Sequence, residues 1–215
     1  VFISSPGFVL RQDGADELSR SLLHLRRDLV YYTTKCFVCQ NGINICYNYY
    51  EELCDEGKKD MSDITFESLG LSEAMLKALE KKGYGYPTTI QAEAIPQFLA
   101  WKDVIAKAPT GTGKTFAFGI PMIEHVDPQL EEVQGLILAP TRELAIQIGD
   151  ELRGLLAYFQ GIRVAVLYGG AGIGGQIKQM EKKPQIVVAT PGRLMDHYNR
   201  KTIRLDKIQT VVLDE

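Results

Sequence analysis

The chain has 215 residues, 45% of them hydrophobic and 24% charged, with 24 Lys and Arg against 27 Asp and Glu and a formal net charge of −3. That length carries one good core, or one domain with an appendage. The charge balance excludes a strongly basic protein that coats nucleic acid but leaves local basic patches open, and no run approaches the ~20 apolar residues of a membrane-spanning helix.

All four cysteines, Cys36, Cys39, Cys46 and Cys54, fall in the first quarter of the chain. A thiol-free remainder fits a reducing setting, so the expected compartment is the cytoplasm. Cys36 and Cys39 form a C-x-x-C, but no second close pair succeeds it, which is a poor match to a zinc module. Leu18, Leu22, Leu25 and Leu29 share one helical stripe after Asp13. Residues 35–49 form two short expected strands around Asn41-Gly42, a hairpin signal that sets Cys36 and Cys39 on opposite faces.

Residues 1–60 differ in pattern from the rest of the chain. Back-translated, Glu56-Gly57 gives a purine run shortly before the Met61 codon, where a bacterial ribosome-binding site would lie. The expectation is that residues 1–60 are an over-extended reading frame or a small upstream appendage of a bacterial protein, with the domain proper at 61–215.

From Met61 onward, amphipathic and apolar segments alternate. The spacing predicts helices at 71–82, 90–99, 115–125 and 142–159, and strands at 104–108, 135–139, 163–168, 185–189 and 209–213. Near-continuous apolar strands separated by helices predict an α/β fold, a parallel sheet with helices on both faces.

Between the first of these strands and the helix after it stands Ala108-Pro109-Thr110-Gly111-Thr112-Gly113-Lys114-Thr115. It fits G-x-x-x-x-G-K-[ST] except that Ala108 replaces the first Gly. Gly111 and Gly113 let backbone N–H groups come close to an oxyanion, and the helix N-terminus adds a favourable dipole. Lys114 can reach the β- and γ-phosphates, and the Thr115 hydroxyl can serve Mg²⁺. The bland alternative is a Gly-rich turn with a solvated lysine.

Asp214-Glu215 closes a β-branched run, the form of a metal-holding acid and, next to it, a carboxylate that orients water. Taken alone, two such acids are an ordinary strand end; with Lys114-Thr115 upstream they form a hydrolytic pair. A competing motif is Gly170-Ala171-Gly172-Ile173-Gly174-Gly175, a literal G-x-G-x-x-G after an apolar run. With Asp196 further on it imitates a dinucleotide fingerprint, which leaves a dehydrogenase as an alternative on that motif alone.

Residues 83–91 (GYGYPTTIQ), the APTGTGKT loop, residues 140–145 (PTRELA), Gly169-Gly170, residues 190–193 (TPGR) and Asp214-Glu215 stand in one order and spacing. In this the chain resembles the first RecA-like domain of the DEAD-box RNA helicases over residues 61–215. The resemblance implies a RecA-like P-loop NTPase that binds ATP and Mg²⁺ and couples ATP hydrolysis to RNA unwinding. It implies adenine recognition by Gln91 with Pro87 and Thr88, and by Phe66 packing on the base, although Phe66 also suits a core. It further implies sequence-nonspecific contacts to the RNA backbone from Pro140, Thr141, Arg142, Gly169, Gly170, Thr190, Pro191, Gly192 and Arg193.

Lys114, Asp214 and Glu215 would carry the chemistry, with Thr115 and Asp214 on the metal. The family pattern continues past Asp-Glu into further motifs and a second RecA-like domain, so the expectation is a truncated first domain. The family strand expected between the loop strand and the Asp-Glu strand is missing, which predicts a central gap or a mispaired sheet. The alternative function is an ATP- and RNA-binding unit without turnover.

Overall fold

The computed structural model describes residues 2–4, 44–47 and 64–214. The expected helix at 18–29, most of the expected hairpin, Cys36, Cys39, Cys54 and Glu215 lie outside the described residues.

Among the described residues seven strands form one sheet: β1 (Phe2–Ser4), β2 (Asn44–Tyr47), β3 (Val104–Lys107), β4 (Gly135–Leu138), β5 (Val164–Leu167), β6 (Ile186–Ala189) and β7 (Thr210–Leu213). Their order across the sheet is β2-β3-β1-β7-β4-β6-β5. β7, β4, β6 and β5 pair in parallel, with Leu136 level with both Val187 and Val211. The five strands expected from sequence are all present, each within two residues of its predicted limits.

Of the two expected outcomes, a central gap or a mispaired sheet, the gap is absent and an antiparallel strand fills its place. β1 lies antiparallel between β3 and β7, with Phe2 level with Ile105 on one side and Leu213 on the other. Because β1 opposes both neighbours, β3 and β7 run in the same direction, and the five predicted strands share one polarity. β2 pairs antiparallel with the outer edge of β3, Cys46 level with Ile105. Two pieces of the segment expected to be an appendage are therefore joined to the sheet, and backbone amides of β3 that would otherwise be unpaired find partners.

Six α-helices of the described residues surround the strands: α1 (Glu73–Lys81), α2 (Thr89–Leu99), α3 (Lys114–His125), α4 (Arg142–Leu155), α5 (Ile173–Met180) and α6 (Pro191–Asn199). Local chemistry sets their starts. Ser72 and Thr141 accept from the backbone N–H groups of Met75 and Leu144, and Pro191 opens α6 where no N–H is needed. The predicted helix at 142–159 ends as α4 at Leu155 and tightens into a 3-10 turn over Leu156–Tyr158.

Strand alternation divides the core between the two faces of the sheet. Ile137, Val166, Val188 and Val212 pack with Phe98, Phe118, Ile148 and Leu152 from α2, α3 and α4. Leu136, Leu138, Leu167 and Val187 pack on the other face with Leu194 of α6 and with Ile203 and Leu205. Both faces are covered, which is why these strands are apolar throughout. At Gly149 of α4 an added Cβ would lie 2.3 Å from Cγ2 of Val166, so the helix rests directly on β5.

Ile137 is fully buried in the central parallel strand β4. Ile137→Ala is expected to cost about 3 kcal/mol, read as a lower urea midpoint at unchanged m-value.

Candidate nucleotide and RNA site

The shared strand polarity gathers the predicted site residues on one edge. β3 runs into Ala108 and the glycine loop, β4 into Pro140 and Thr141, β5 into Gly169 and Gly170, β6 into Thr190, and β7 into Asp214. Ligands of open α/β sheets bind at this carboxyl edge, where strands hand over to helix N-termini.

The glycine loop is held by hydrogen bonds from three sides. The Thr112 hydroxyl donates to Pro109 O at 2.7 Å, closing the turn on itself. The Thr88 hydroxyl donates to Thr112 O at 2.9 Å, and the Gln91 side-chain amide donates to Gly113 O at 3.1 Å. Gln91 Oε1 in turn accepts from the Thr88 backbone N–H at 3.0 Å. One buried amide thus fixes the start of α2 and the entrance to α3 together.

Gly113 is the N-cap of α3, with φ +88°, and Lys114 is the first helical residue. Glycine is needed here twice over: the backbone is left-handed, and a Cβ would lie 2.3 Å from Gln91 Nε2. Gly111 also has a positive φ, +81°, but open space around it. Pro109, Thr110 and Gly111 line the solvent side of the loop, all three exposed, while Lys114 and Thr115 are half-buried. The helix N-terminus with accessible loop amides before it suits an anionic oxygen.

Two residues expected to read adenine sit differently from expectation. Phe66 is 2% exposed and belongs to the main core, so its core role prevails and it offers no free face to a base. Gln91 is also 2% exposed, and one N–H and one lone pair are spent on Gly113 and Thr88. What the amide retains for a ligand is its second N–H and second lone pair. Tyr84, edge-on to Phe116 at 4.9 Å, and Tyr86 are the exposed aromatics of this motif; nothing in the sequence distinguished them from turn residues.

Further along the edge, Pro140, Thr141, Arg142, Gly169, Gly170, Pro191 and Gly192 are exposed and Thr190 is half-buried. The Arg142 guanidinium lies over the Tyr168 ring at 4.9 Å, beside Gly170, which has φ +82°. The segments after β4 and β5 therefore touch.

Arg193 differs from its neighbours. Its side chain is 10% exposed and donates to Gln176 Oε1 at 3.1 Å and to Ala171 O at 3.0 Å. Nε lies 3.5 Å from an Asp196 carboxylate oxygen. The guanidinium faces inward, so direct contact with a phosphate, expected from sequence, is not open to it in this arrangement.

Next to it, His197 is fully buried, 2.8 Å from the Thr202 hydroxyl and 3.3 Å from Gln176 Oε1. Burial first, and the Arg193 charge second, push its pKa below the ordinary 6.5. Asp214 closes β7 with its N–H on Leu138 O at 2.9 Å, on the same edge as the loop but two strands across from β3.

Known proteins share this geometry. The DEAD/DEAH box helicase family model matches residues 88–215, well over half of the chain. The chain belongs to the DEAD/DEAH box helicase family. A DEAD-box ATP-dependent RNA helicase CshA from Bacillus cereus is 52% identical over 151 residues, covering 70% of this chain and 29% of the relative. An ATP-dependent RNA helicase CshA from Limosilactobacillus reuteri is 54% identical over 150 residues, covering 70% of this chain and 30% of the relative. The crystal structure of a DEAD box protein from Methanococcus jannaschii aligns with a TM-score of 0.62 at 42% identity, over 70% of this chain and 41% of that one.

The chain thus spans under a third of the curated relatives it matches. Its fold is the RecA-like α/β domain of this family, and the dehydrogenase alternative falls with the family assignment. The Gly-rich run behind that alternative forms the turn after β5 and the first residues of α5. Among the described residues no helix is long and apolar enough to cross a membrane, and no cluster of His, Cys, Asp and Glu suits a metal ion.

The loop and its neighbourhood set two expectations. Gly111→Ala should cost about 1–2 kcal/mol, the left-handed backbone penalty alone. Gly113→Ala should cost more and lower nucleotide affinity as well, since Gln91 must also move. Thermal unfolding and nucleotide titration of the two variants check this. The second expectation concerns His197, whose depressed folded pKa means that the unfolded chain binds more protons just below pH 6.5. Its contribution to stability is complete above that pH and is lost as pH falls through it toward the folded value. Urea midpoints across this window should fall less steeply for His197→Gln than for the parent.

Proposed function

We propose that this chain is the ATP- and RNA-binding domain of an ATP-dependent RNA helicase. The observation that carries the proposal is the glycine loop at the start of α3, held by Gln91 and Thr88, on the same sheet edge as the exposed 140–142 and 169–170 segments and the 190–192 helix start.

In this reading the triphosphate lies over the amides of 110–113, and Lys114 meets its β- and γ-phosphates. The residues suit a hard cation: the Thr115 hydroxyl and the Asp214 carboxylate would hold Mg²⁺ with the phosphates, which neutralises their charge when bound. Glu215 would orient and deprotonate the attacking water. Phosphoryl transfer asks mainly for positioning and charge stabilisation, which this set supplies. Adenine is met by the remaining N–H and lone pair of Gln91, beside Pro87 and Thr88.

The RNA backbone crosses the carboxyl edge, where Thr141, Arg142, Gly169, Gly170, Thr190 and Gly192 offer hydroxyls, amides and a guanidinium to phosphates, with Pro191 beside them. Such contacts carry little base information and favour single strands. Unwinding belongs to the whole protein, with a second RecA-like domain completing both sites in a bacterial cytoplasm. A second reading, binding by this chain without turnover, is favoured because the chain spans only 29% of its Bacillus cereus relative.

The test measures ATP and oligouridylate binding together with phosphate release. The chain should prefer ATP to GTP, and Gln91→Ala should abolish that preference. Lys114→Ala should lower ATP affinity at least about tenfold, as expected for a lost charged phosphate contact. Arg142→Ala should weaken RNA binding and reduce the salt slope by about 0.7, the single-strand value for one phosphate contact. Equal affinity for ATP and GTP in the parent contradicts the adenine assignment. RNA-stimulated phosphate release from this chain alone excludes the second reading.

A further inference from the structure

Gln176 is buried on α5, far in sequence from the nucleotide loop, yet its contacts span the neighbouring RNA-facing edge. Its Nε2 donates to Tyr168 O at 2.9 Å, so its Oε1 must be the atom facing α6. That oxygen accepts from Arg193 Nη1 at 3.1 Å and meets His197 Nε2 at 3.3 Å. An oxygen can only accept, so it takes the Arg193 N–H; His197 Nδ1 lies 2.8 Å from the Thr202 hydroxyl oxygen, which itself donates to His197 O at 3.0 Å. Arg193 uses its second terminal nitrogen on Ala171 O at 3.0 Å. Tyr168 in turn carries Arg142 over its ring.

These bonds form one continuous path: Arg142 on Tyr168, Tyr168 to Gln176, Gln176 to Arg193, Arg193 back to Ala171. From this juxtaposition we propose that Gln176 is the positioning residue of the RNA face, with Arg193 as the pin through which it acts. Together they lock the 169–172 turn to the 190–192 helix start as one rigid unit. Arg193 serves RNA through its hold on protein acceptors, as a planar fork that bridges two of them, and contributes no phosphate contact of its own. The inference rests on the RNA-binding reading above and goes further by separating the arginine that meets phosphate, Arg142, from the one that sets the geometry.

A buried amide with all three contacts made is costly to disturb, because each lost bond strands a partner away from water. Its loss should loosen the turn and the helix start together while leaving the glycine loop in place.

The experiment measures binding of fluorescein-labelled oligouridylate by anisotropy between about 50 and 200 mM salt, with ATP affinity and melting temperature recorded for each protein. Gln176→Met should lower RNA affinity about tenfold at an unchanged salt slope, with ATP affinity within about twofold. Arg193→Lys should behave alike, since the charge remains and the fork is lost. Arg193→Met should also leave the slope unchanged, whereas removal of a direct phosphate ligand would reduce it by about 0.7.

Should Gln176→Met fail to fold, Gln176→Glu carries the test. It keeps an acceptor for Arg193 but sets a carboxylate oxygen against Tyr168 O in place of the donor, so a loss of RNA affinity is expected. Parent-like RNA binding by the Gln176 variant, parent-like binding by Arg193→Lys, or a reduced slope for Arg193→Met overturns the proposal. A parent chain that binds no single-stranded RNA at low salt overturns the functional reading itself; parent binding that the variants match overturns only the positioning role.

Discussion

Parallel strand polarity is the constraint on which the site depends. When five strands share a direction, each must leave the sheet at the same edge, and each succeeding helix begins there. Residues separated by about a hundred positions, such as Lys114 and Asp214, are then brought to one line by topology alone, with no bond between them required. Helix N-termini add their amides to that line, so the edge suits phosphates before any individual side chain is chosen.

Buried glutamines hold the two edges in shape. At the carboxyl edge Gln91 bonds Thr88 to Gly113, and Gln176 bonds Tyr168 to Arg193. At the opposite edge Gln134 takes the Asp127 N–H and gives to Asp127 O, while Gln185 takes the Arg163 N–H. A primary amide suits this work because it donates and accepts at once without a charge to desolvate. Loops that would otherwise leave backbone groups unpaired are thereby fixed to the covered sheet between them.

The five strands and the four helices up to residue 155 were legible because apolar periodicity is a local signal and most of these runs are bounded by Gly, Pro or a capping residue; the helix at Ile173–Met180 was not, because its Gly-rich start reads as a turn. The glycine loop was legible for the same reason, its residue types being dictated by backbone geometry. What the sequence concealed is side-chain direction. Phe66, Gln91 and Arg193 are the residue types a nucleotide and RNA site uses, yet one is packed into the core, one is partly spent on the glycine loop, and one faces inward to Gln176. The hub at Gln176 had no signal at all, since a single Gln on a helix is ordinary until the chain brings Tyr168, Arg193 and His197 around it. Nor could periodicity show that Phe2–Ser4, far from the domain in sequence, would pair within its sheet.

That three-residue strand also sets a length. Neighbouring strands lie about 4.8 Å apart, so β1 holds the ends of β3 and β7 roughly 10 Å from each other. Were β3 and β7 direct neighbours, the lysine and hydroxyl after one and the carboxylate after the other would start from half that spacing. One intervening strand thus doubles the spacing from which the two segments leave the sheet. The sheet acts here as a ruler, and its unit is the backbone hydrogen bond.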